Sequence, residues 1–360
     1  MTFDELLERR LVFTVGKGGV GRTTVTLALA LEAARRGRRV LAVELEGAHA
    51  LGHALAAQRE SRHRSPGIER IDHLVVDGRR ALEEYLALVI PVRRLLKTIF
   101  SSNVYQYFVA AAPGLKELMA IGKIWYEVER GDREPARGRR GRGSTAPDIV
   151  VVDGPATGHS LQYLRMPRAA ADAFPVGLVH REAERISGLL KDDRSTAVAI
   201  VTIAEEMPVN ETVEIYAGLG QLELPRTVLV VNQVHRAPAT DEELVALRAG
   251  VAASARDGAP SGDGEPAANG DRLFAEVVAR AEEECGWAGI HRRNIERLAE
   301  AVPLPTVLLP FIFAEEFCPE HVAELSRTLA AQLDGGPARA ERAAGTRPAA
   351  RKRASAAERR

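Results

Sequence analysis

Seven short apolar runs recur along the chain, separated by longer stretches of mixed polarity. Several runs are almost continuous in valine, isoleucine and leucine, a pattern typical of strands that are buried on both faces. Between them, apolar residues recur at helical spacing, as in Thr23–Arg36 and Val213–Leu219. The alternation predicts an α/β fold: a doubly wound, mostly parallel sheet of about seven or eight strands with helices on both faces. The predicted strands are Leu11–Val15, Arg39–Glu44, Ile71–Val76, Asp148–Val152, Ala197–Ile203, Arg226–Val231 and Thr306–Leu309.

The interval between the third and fourth predicted strands is unusually long. Residues 79–147 carry apolar side chains at helical spacing, and we interpret them as an inserted helical subdomain that ends in a flexible Arg/Gly-rich loop. The alternative is that residues 79–147 are ordinary crossover helices between the two strands that have become longer. Residues 255–271 predict a second flexible loop. Residues 335–360 carry eight basic and two acidic side chains and predict a disordered basic tail. Residues 1–334 are otherwise predicted to form one domain.

Composition and charge argue against several classes of function. The chain has 49 basic and 49 acidic residues, so no bulk electrostatic attraction favours nucleic acid or an anionic membrane. Its two cysteines, Cys285 and Cys318, offer no zinc-binding spacing and indicate a reduced compartment. The first residues lack the layout of a signal peptide, and no apolar run approaches the roughly 18 residues of a spanning helix. We therefore expect a soluble, cytoplasmic protein with no integral membrane segment and no nucleic-acid partner. A partner that is itself bound to a membrane is compatible with these features.

A glycine-rich segment between the first predicted strand and the following helix carries the strongest chemical signal. Such a segment directs backbone N–H groups and the positive end of a helix dipole at an anion. It therefore predicts a binding site for the phosphates of a nucleotide, and a glycine turn that binds nothing is the alternative. In the pattern G-x-x-x-x-G-[basic]-T, Arg22 stands where lysine is usual, and the Thr23 hydroxyl is predicted to ligate Mg²⁺. The segment reads Gly16-Lys17-Gly18-Gly19-Val20-Gly21-Arg22-Thr23-Thr24.

Polar residues at the ends of three other strands fit a nucleotide site. Asp153 ends the fourth strand and fits a Walker B carboxylate, which holds Mg²⁺ mostly through water. Glu46 follows the second strand, where a carboxylate could orient the attacking water or hold hydrated Mg²⁺; an acidic strand end that faces solvent is the alternative. Asn232 ends the sixth strand, and its amide can pair with N6 and N7 of adenine. His235 stands where guanine-specific loops carry aspartate, so ATP is favoured over GTP.

These motifs, in this order, resemble the ArsA-type ATPases, the family of arsenite-pump ATPase subunits and tail-anchored-protein targeting factors. The resemblance covers roughly residues 10–333 and implies a P-loop ATPase with a deviant Walker A motif. It also implies that Lys17 reaches across a dimer to the partner's nucleotide. Further landmarks are Ala48-His49, 111–118, 153–159, 205–212 and 309–316.

The resemblance implies a role for each site residue. Arg22 and the loop amides would contact the β- and γ-phosphates of ATP, Thr23 and Asp153 would bind Mg²⁺, and Glu46 would orient the water. Two of these residues depart from the family's pattern, which has lysine in place of Arg22 and aspartate in place of Glu46. Guanidinium is larger and planar, and glutamate is one methylene longer. We therefore predict that ATP binding survives and that hydrolysis is slow.

The sequence does not support the familiar clients of the family. Two cysteines cannot form a three-thiol arsenite site, and no C-x-x-C is present for a zinc-clamped dimer. The chain has four methionines, whereas a groove for tail anchors is rich in this flexible residue.

Three hypotheses of function remain. The first is an ATPase, dimeric or paired with a homologue, that uses ATP to drive a dimer-coupled conformational switch on an unidentified client or partner. The second is a nucleotide-gated regulatory subunit that scarcely hydrolyses ATP and pairs with an active homologue. The third, least favoured, is a positioning ATPase of the ParA/MinD kind. The last predicted helix, Pro319–Leu333, has no basic face for an anionic membrane.

Overall fold

A central parallel sheet organises the chain. The structure, a computed structural model, describes residues 1–45, 49–89, 100, 102–103, 107, 114–133, 146–155, 159–257 and 266–335. Seven strands lie in the order β3-β2-β4-β1-β5-β6-β7, and every pair of neighbours is parallel. All seven predicted strands are confirmed, with ends that shift by a few residues at most. They are β1 Leu11–Gly16, β2 Val40–Leu45, β3 Ile71–Val76, β4 Ile149–Asp153, β5 Thr196–Ile203, β6 Val228–Val234 and β7 Thr306–Pro310.

Helices cover both faces of this sheet, as the predicted doubly wound fold requires. They are α1 Phe3–Leu7, α2 Arg22–Arg35, α3 Ala50–Glu60, α4 Gly78–Val89, α5 Leu115–Arg133, α6 His159–Ala173, α7 Leu178–Lys191, α8 Glu206–Gln221, α9 Asp241–Asp257, α10 Pro266–Ala301 and α11 Pro319–Gly335, with a short 3₁₀ helix at Ile68–Arg70. None of the helices within the described ranges combines the length and apolar character needed to cross a membrane.

The sheet separates two hydrophobic cores, because successive side chains of a strand point to opposite faces. One core lies between the sheet and helices α1, α2, α3 and α11, and the other lies beneath α5, α6, α7 and α8. All six residues of β1 are buried, and so are ten residues of α2. The first turn of α2 is thus fixed against the middle of the sheet, at the carboxyl ends of the strands.

The described part of the predicted insertion is helical. Helices α4 and α5 pack against each other around a small core of their own that includes Leu82, Leu86, Leu115 and Met119. Helix α5 continues to Arg133, into the interval that the sequence predicts to end in an Arg/Gly-rich loop. Residues 90–99 and 134–145 lie outside the described residues.

The predicted flexible loop at 255–271 is too wide. Helix α9 continues to Asp257 and α10 begins at Pro266, and the two helices pack as a hairpin. Proline is well suited to a first helical position, and the alanines after it favour helix. Glycine and serine content alone therefore predicts a loop that extends too far at both ends, into α9 and into α10. Residues 258–265 and 336–360, which include most of the predicted tail, lie outside the described residues.

Candidate functional site

The glycine-rich segment forms a tight loop between the central strand and the central helix. β1 ends at Gly16 and α2 begins at Arg22, with Gly21 as its N-cap in a left-handed conformation (φ 83°). No side chain caps the first turn of α2, so its backbone N–H groups face the loop and offer donors to an anion. Gly18 and Gly19 are exposed at the tip, whereas Val20 is buried and anchors the loop.

Asn232 braces this loop from β6. Its side-chain amide donates a hydrogen bond to the Val20 carbonyl at 3.0 Å, and Asn232 is 4% exposed. A Cβ atom at Gly21 would lie 2.2 Å from the Asn232 Nδ2 atom, so only glycine fits there. Asn232 thus has a supporting role in the loop that the sequence reasoning missed. Its contact with adenine stays a prediction.

Thr23 and Asp153 meet beneath the loop. The Thr23 hydroxyl donates to the Asp153 Oδ2 atom at 2.6 Å, and Asp153 is 6% exposed. Burial raises the pKa of Asp153, opposed by the Thr23 hydrogen bond and by Arg22. A hydroxyl and a carboxylate are ligands that Mg²⁺ prefers, so the pair fits this ion. Within the described residues no three His, Cys, Asp or Glu side chains could enclose a metal ion, so the ion's other ligands would be phosphate oxygens and water.

Arg22 lies against the same carboxylate. Its Nε atom is 3.2 Å from the Asp153 Oδ1 atom, and its Nη1 atom donates to the Gly16 carbonyl at 2.8 Å. The Arg22 side chain is 12% exposed. One guanidinium thus ties the beginning of the loop to the end of β4, which its several donors allow.

Lys17 pairs with a carboxylate of its own chain. Its Nζ atom lies 2.7 Å from the Oε1 atom of Glu211 on α8, and both side chains are partly exposed. The other oxygen of Glu211 is buried and has no hydrogen bond among the described residues. Glu211 belongs to the landmark segment 205–212, and no sequence pattern marks it as the partner of Lys17.

A second buried carboxylate, Glu44, lies beside Asp153. The two are direct neighbours across β2 and β4, and Glu44 is 3% exposed. Its Oε2 atom is 3.4 Å from the Gly52 backbone nitrogen and 3.4 Å from the His73 Nε2 atom. The sequence predicts Glu46 as the catalytic carboxylate, and Glu46 lies outside the described residues.

An aromatic cluster follows Asn232 at the ends of β6 and β7. The His235 ring stacks on Phe311 with 4.4 Å between centroids, and its Nδ1 atom lies 2.8 Å from the Glu284 Oε1 atom. The His235 backbone N–H donates to His291, whose pKa is lowered to about 4 by burial and by the neighbouring His235. The structure therefore brings Phe311, one of the sequence landmarks, to the side of the loop where Asn232 lies.

The fold and the loop together define a class of protein. A parallel sheet whose central strand leads through a glycine-rich loop into a buried helix, with a carboxylate on the adjacent strand, is the P-loop nucleoside triphosphatase fold. Of the predicted site residues, the structure brings together the loop from Gly16 to Thr24, Asp153 and Asn232.

Comparison with known proteins defines the family. The family model described as anion-transporting ATPase matches residues 9–182 and 176–253. The chain belongs to this family, which confirms the resemblance found in the sequence. ATPase BagA of Mycobacterium tuberculosis is 29% identical over 331 residues, which cover 90% of this chain and 93% of that protein.

More distant relatives carry other names. ATPase get3 of Schizosaccharomyces japonicus is 25% identical over 275 residues, covering 66% of this chain and 80% of that protein. A putative arsenical pump-driving ATPase of Aquifex aeolicus is 24% identical over 167 residues, covering 44% of this chain and 38% of that protein.

Proposed function

We propose that this chain binds ATP with Mg²⁺ at the phosphate loop and hydrolyses it slowly. The observation that carries the proposal is the hydrogen bond between Thr23 and Asp153 at 2.6 Å, directly below the uncapped first turn of α2. That arrangement offers N–H donors for phosphate and oxygen ligands for Mg²⁺ in adjacent positions. Membership of an ATPase family supports the same proposal.

The groups of the site have different tasks in this proposal. The backbone amides of residues 18–24 and the Arg22 guanidinium bind the β- and γ-phosphates, and Asn232 faces the adenine. Thr23 and Asp153 hold Mg²⁺, which when bound neutralises charge on the phosphates. Glu46 orients the attacking water.

The reaction is transfer of the γ-phosphoryl group to water. A bond forms between the water oxygen and the γ-phosphorus, the bond from that phosphorus to the β–γ bridging oxygen breaks so that ADP leaves, and the proton lost by the water passes to the released phosphate. Little covalent chemistry is required of the protein, so positioning and electrostatics determine the rate.

Two contacts in the structure support slow turnover. Arg22 is bound to Asp153 and to the Gly16 carbonyl, and Lys17 is bound to Glu211. Each cation must leave these partners, at least in part, before it can reach a phosphate. Charge-assisted hydrogen bonds are worth about 1.5–3 kcal/mol each, which sets the scale of the opposing free energy.

The partly exposed side chain of Lys17 favours a dimer-coupled mechanism. We propose that Lys17 exchanges Glu211 for the nucleotide of a second subunit, either an identical copy or a homologue. ATP binding and hydrolysis then drive a conformational switch that acts on an unidentified client or partner. A subunit that binds ATP and scarcely hydrolyses it is the second candidate, favoured by the two contacts that hold Arg22.

Nucleotide titration with and without Mg²⁺ tests the proposal. The wild type should bind ATP more tightly with Mg²⁺ than with a chelator, and Thr23→Ala should abolish this difference. Thr306→Ala is a matched control, since it removes a threonine hydroxyl that bonds the Leu304 carbonyl at the opposite end of the sheet. Phosphate release then separates the two candidates: slow release supports the ATPase, and none supports the regulatory subunit. An ATP affinity that is the same with and without Mg²⁺, and the same in wild type and Thr23→Ala, contradicts the proposed site.

A further inference from the structure

Glu44 lies beside Asp153 and has no role in the reaction proposed above. Its Cα atom is the register partner of the Asp153 Cα atom, and neighbouring strands lie about 4.8 Å apart. Both residues follow, by two positions, side chains that belong to the core beneath α2, namely Ala42 and Val151. Because side chains alternate along a strand, both carboxylates face the loop side of the sheet.

Two buried carboxylates lie side by side here, and the Arg22 guanidinium contacts one of them. Arg22 contacts Asp153 through its Nε atom at 3.2 Å. Glu44 is 3% exposed, and a buried carboxylate without a compensating charge is costly. A divalent cation at Asp153 would relieve this excess of negative charge.

Glu44 is contacted by a backbone group of α3 and by a side chain of β3. The Gly52 N–H donates to its Oε2 atom at 3.4 Å. The His73 Nε2 atom lies within ion-pair distance at 3.4 Å, yet it is buried and has no hydrogen-bond partner among the described residues. A Cβ atom at Gly52 would lie 2.7 Å from the His73 Cε1 atom, so the absence of a side chain at residue 52 lets His73 reach Glu44.

We propose that Glu44 is a positioning residue for Mg²⁺, whose carboxylate accepts hydrogen bonds from the water shell of the ion beside Asp153. The inference rests on the proposed function, because it places the ion at Thr23 and Asp153. Glu44 acts through water and is not a direct ligand, so it strengthens metal binding more than nucleotide binding. Glu46 keeps its separate task of orienting the attacking water.

Direct measurement of metal affinity tests this inference without turnover. Mn²⁺ replaces Mg²⁺, and its binding to the full-length protein with ADP is followed by electron paramagnetic resonance. Glu44→Gln should raise the Mn²⁺ dissociation constant about tenfold to a hundredfold, the usual effect of losing an outer-shell partner. ADP affinity in the presence of a chelator should stay unchanged, which a general loss of structure would not allow.

Glu127→Gln is the matched control. Glu127 is a carboxylate on α5 that is 6% exposed and pairs with Lys123 at 3.3 Å and Arg130 at 3.0 Å. This control should lose stability and keep the wild-type Mn²⁺ affinity. Glu44→Asp, which keeps the charge and shortens its reach, should weaken Mn²⁺ binding less than Glu44→Gln.

The outcomes separate this inference from the proposed function. Wild-type protein that binds neither ADP nor Mn²⁺–ADP overturns the proposed function itself. Wild-type binding combined with unchanged Mn²⁺ affinity in Glu44→Gln overturns only the role of Glu44. Where Glu44→Gln does not fold, Glu44→Asp decides: an unchanged Mn²⁺ affinity overturns the inference, and a weaker one supports it.

Discussion

Replacing Arg22 by leucine should destabilise the nucleotide-free protein by about 3 kcal/mol at neutral pH. The Arg22 and Asp153 side chains are 12% and 7% exposed, so their contact is largely shielded from water. Removing one partner of a buried ion pair typically costs about 3–5 kcal/mol, because the other charge is left uncompensated. The low end applies here, since Asp153 keeps the hydrogen bond from Thr23 at 2.6 Å.

The destabilisation should shrink as the pH falls. Burial already raises the pKa of Asp153 above its ordinary value of 3.8. Between the pKa of Asp153 in the unfolded chain and its higher value in the folded protein, the folded state binds more protons, so stability falls as pH rises through that window. Losing Arg22 removes two influences that lower this pKa. The pKa of Asp153 therefore rises further in the variant, and acidification relieves more of its destabilisation.

Urea unfolding at pH 8 and at pH 5.5, in a buffer with chelator, measures this effect. The free-energy difference between wild type and Arg22→Leu should be clearly larger at pH 8. Arg22→Leu combined with Asp153→Asn removes both charges and should recover much of the loss, because no buried charge is left unpaired. Equal differences at the two pH values, or a double variant as unstable as the sum of the single ones, would refute the argument.

Three further predictions concern the loop itself. Lys17→Ala should leave ATP binding to the monomer nearly intact and should lower phosphate release and ATP-dependent dimerisation together, as followed by nucleotide titration and light scattering; a variant that dimerises like wild type contradicts the role in trans. Gly21→Ala should lower the free energy of unfolding by about 2 kcal/mol, because residue 21 is left-handed and a Cβ atom there would lie 2.2 Å from the Asn232 side chain. A variant that unfolds at the same urea concentration as the wild type contradicts this prediction. Arg22→Lys with Glu46→Asp should speed phosphate release by on the order of 10²–10³, and a slower double variant would show a site adapted to arginine and glutamate.

The sequence was sufficient to predict the parts of the site that lie close together along the chain. The phosphate loop, the strand before it and the helix after it form one continuous segment, and glycine spacing identifies such a segment directly. Asp153 was found for a related reason, since a carboxylate at the end of an apolar run predicts a place at the edge of a parallel sheet.

The missed residues depend on distant contacts. Lys17 and Glu211 meet only because α8 crosses over the end of the loop, and no local periodicity marks that contact. Glu44 looked like the last residue of a buried strand, and only the register of β2 against β4 places it beside Asp153. The hydrogen bond from Asn232 to Val20 likewise requires β6 to lie close to the loop. These contacts follow from strand order, which the pattern of apolar residues does not fix.

Arginine at residue 22 changes how the site is held together before nucleotide binds. Its guanidinium carries several donors in a planar fork, so it bonds the Gly16 carbonyl and the Asp153 carboxylate at the same time. In the proposed reaction Arg22 turns to a phosphate, so that Asp153 would lose that cation while Glu44 stays beside it. Two buried carboxylates then need positive charge from another source, and Mg²⁺ supplies it in the proposed reaction. We therefore expect release of Arg22 and binding of the metal to favour each other, which would link the loop to the metal through the end of β4.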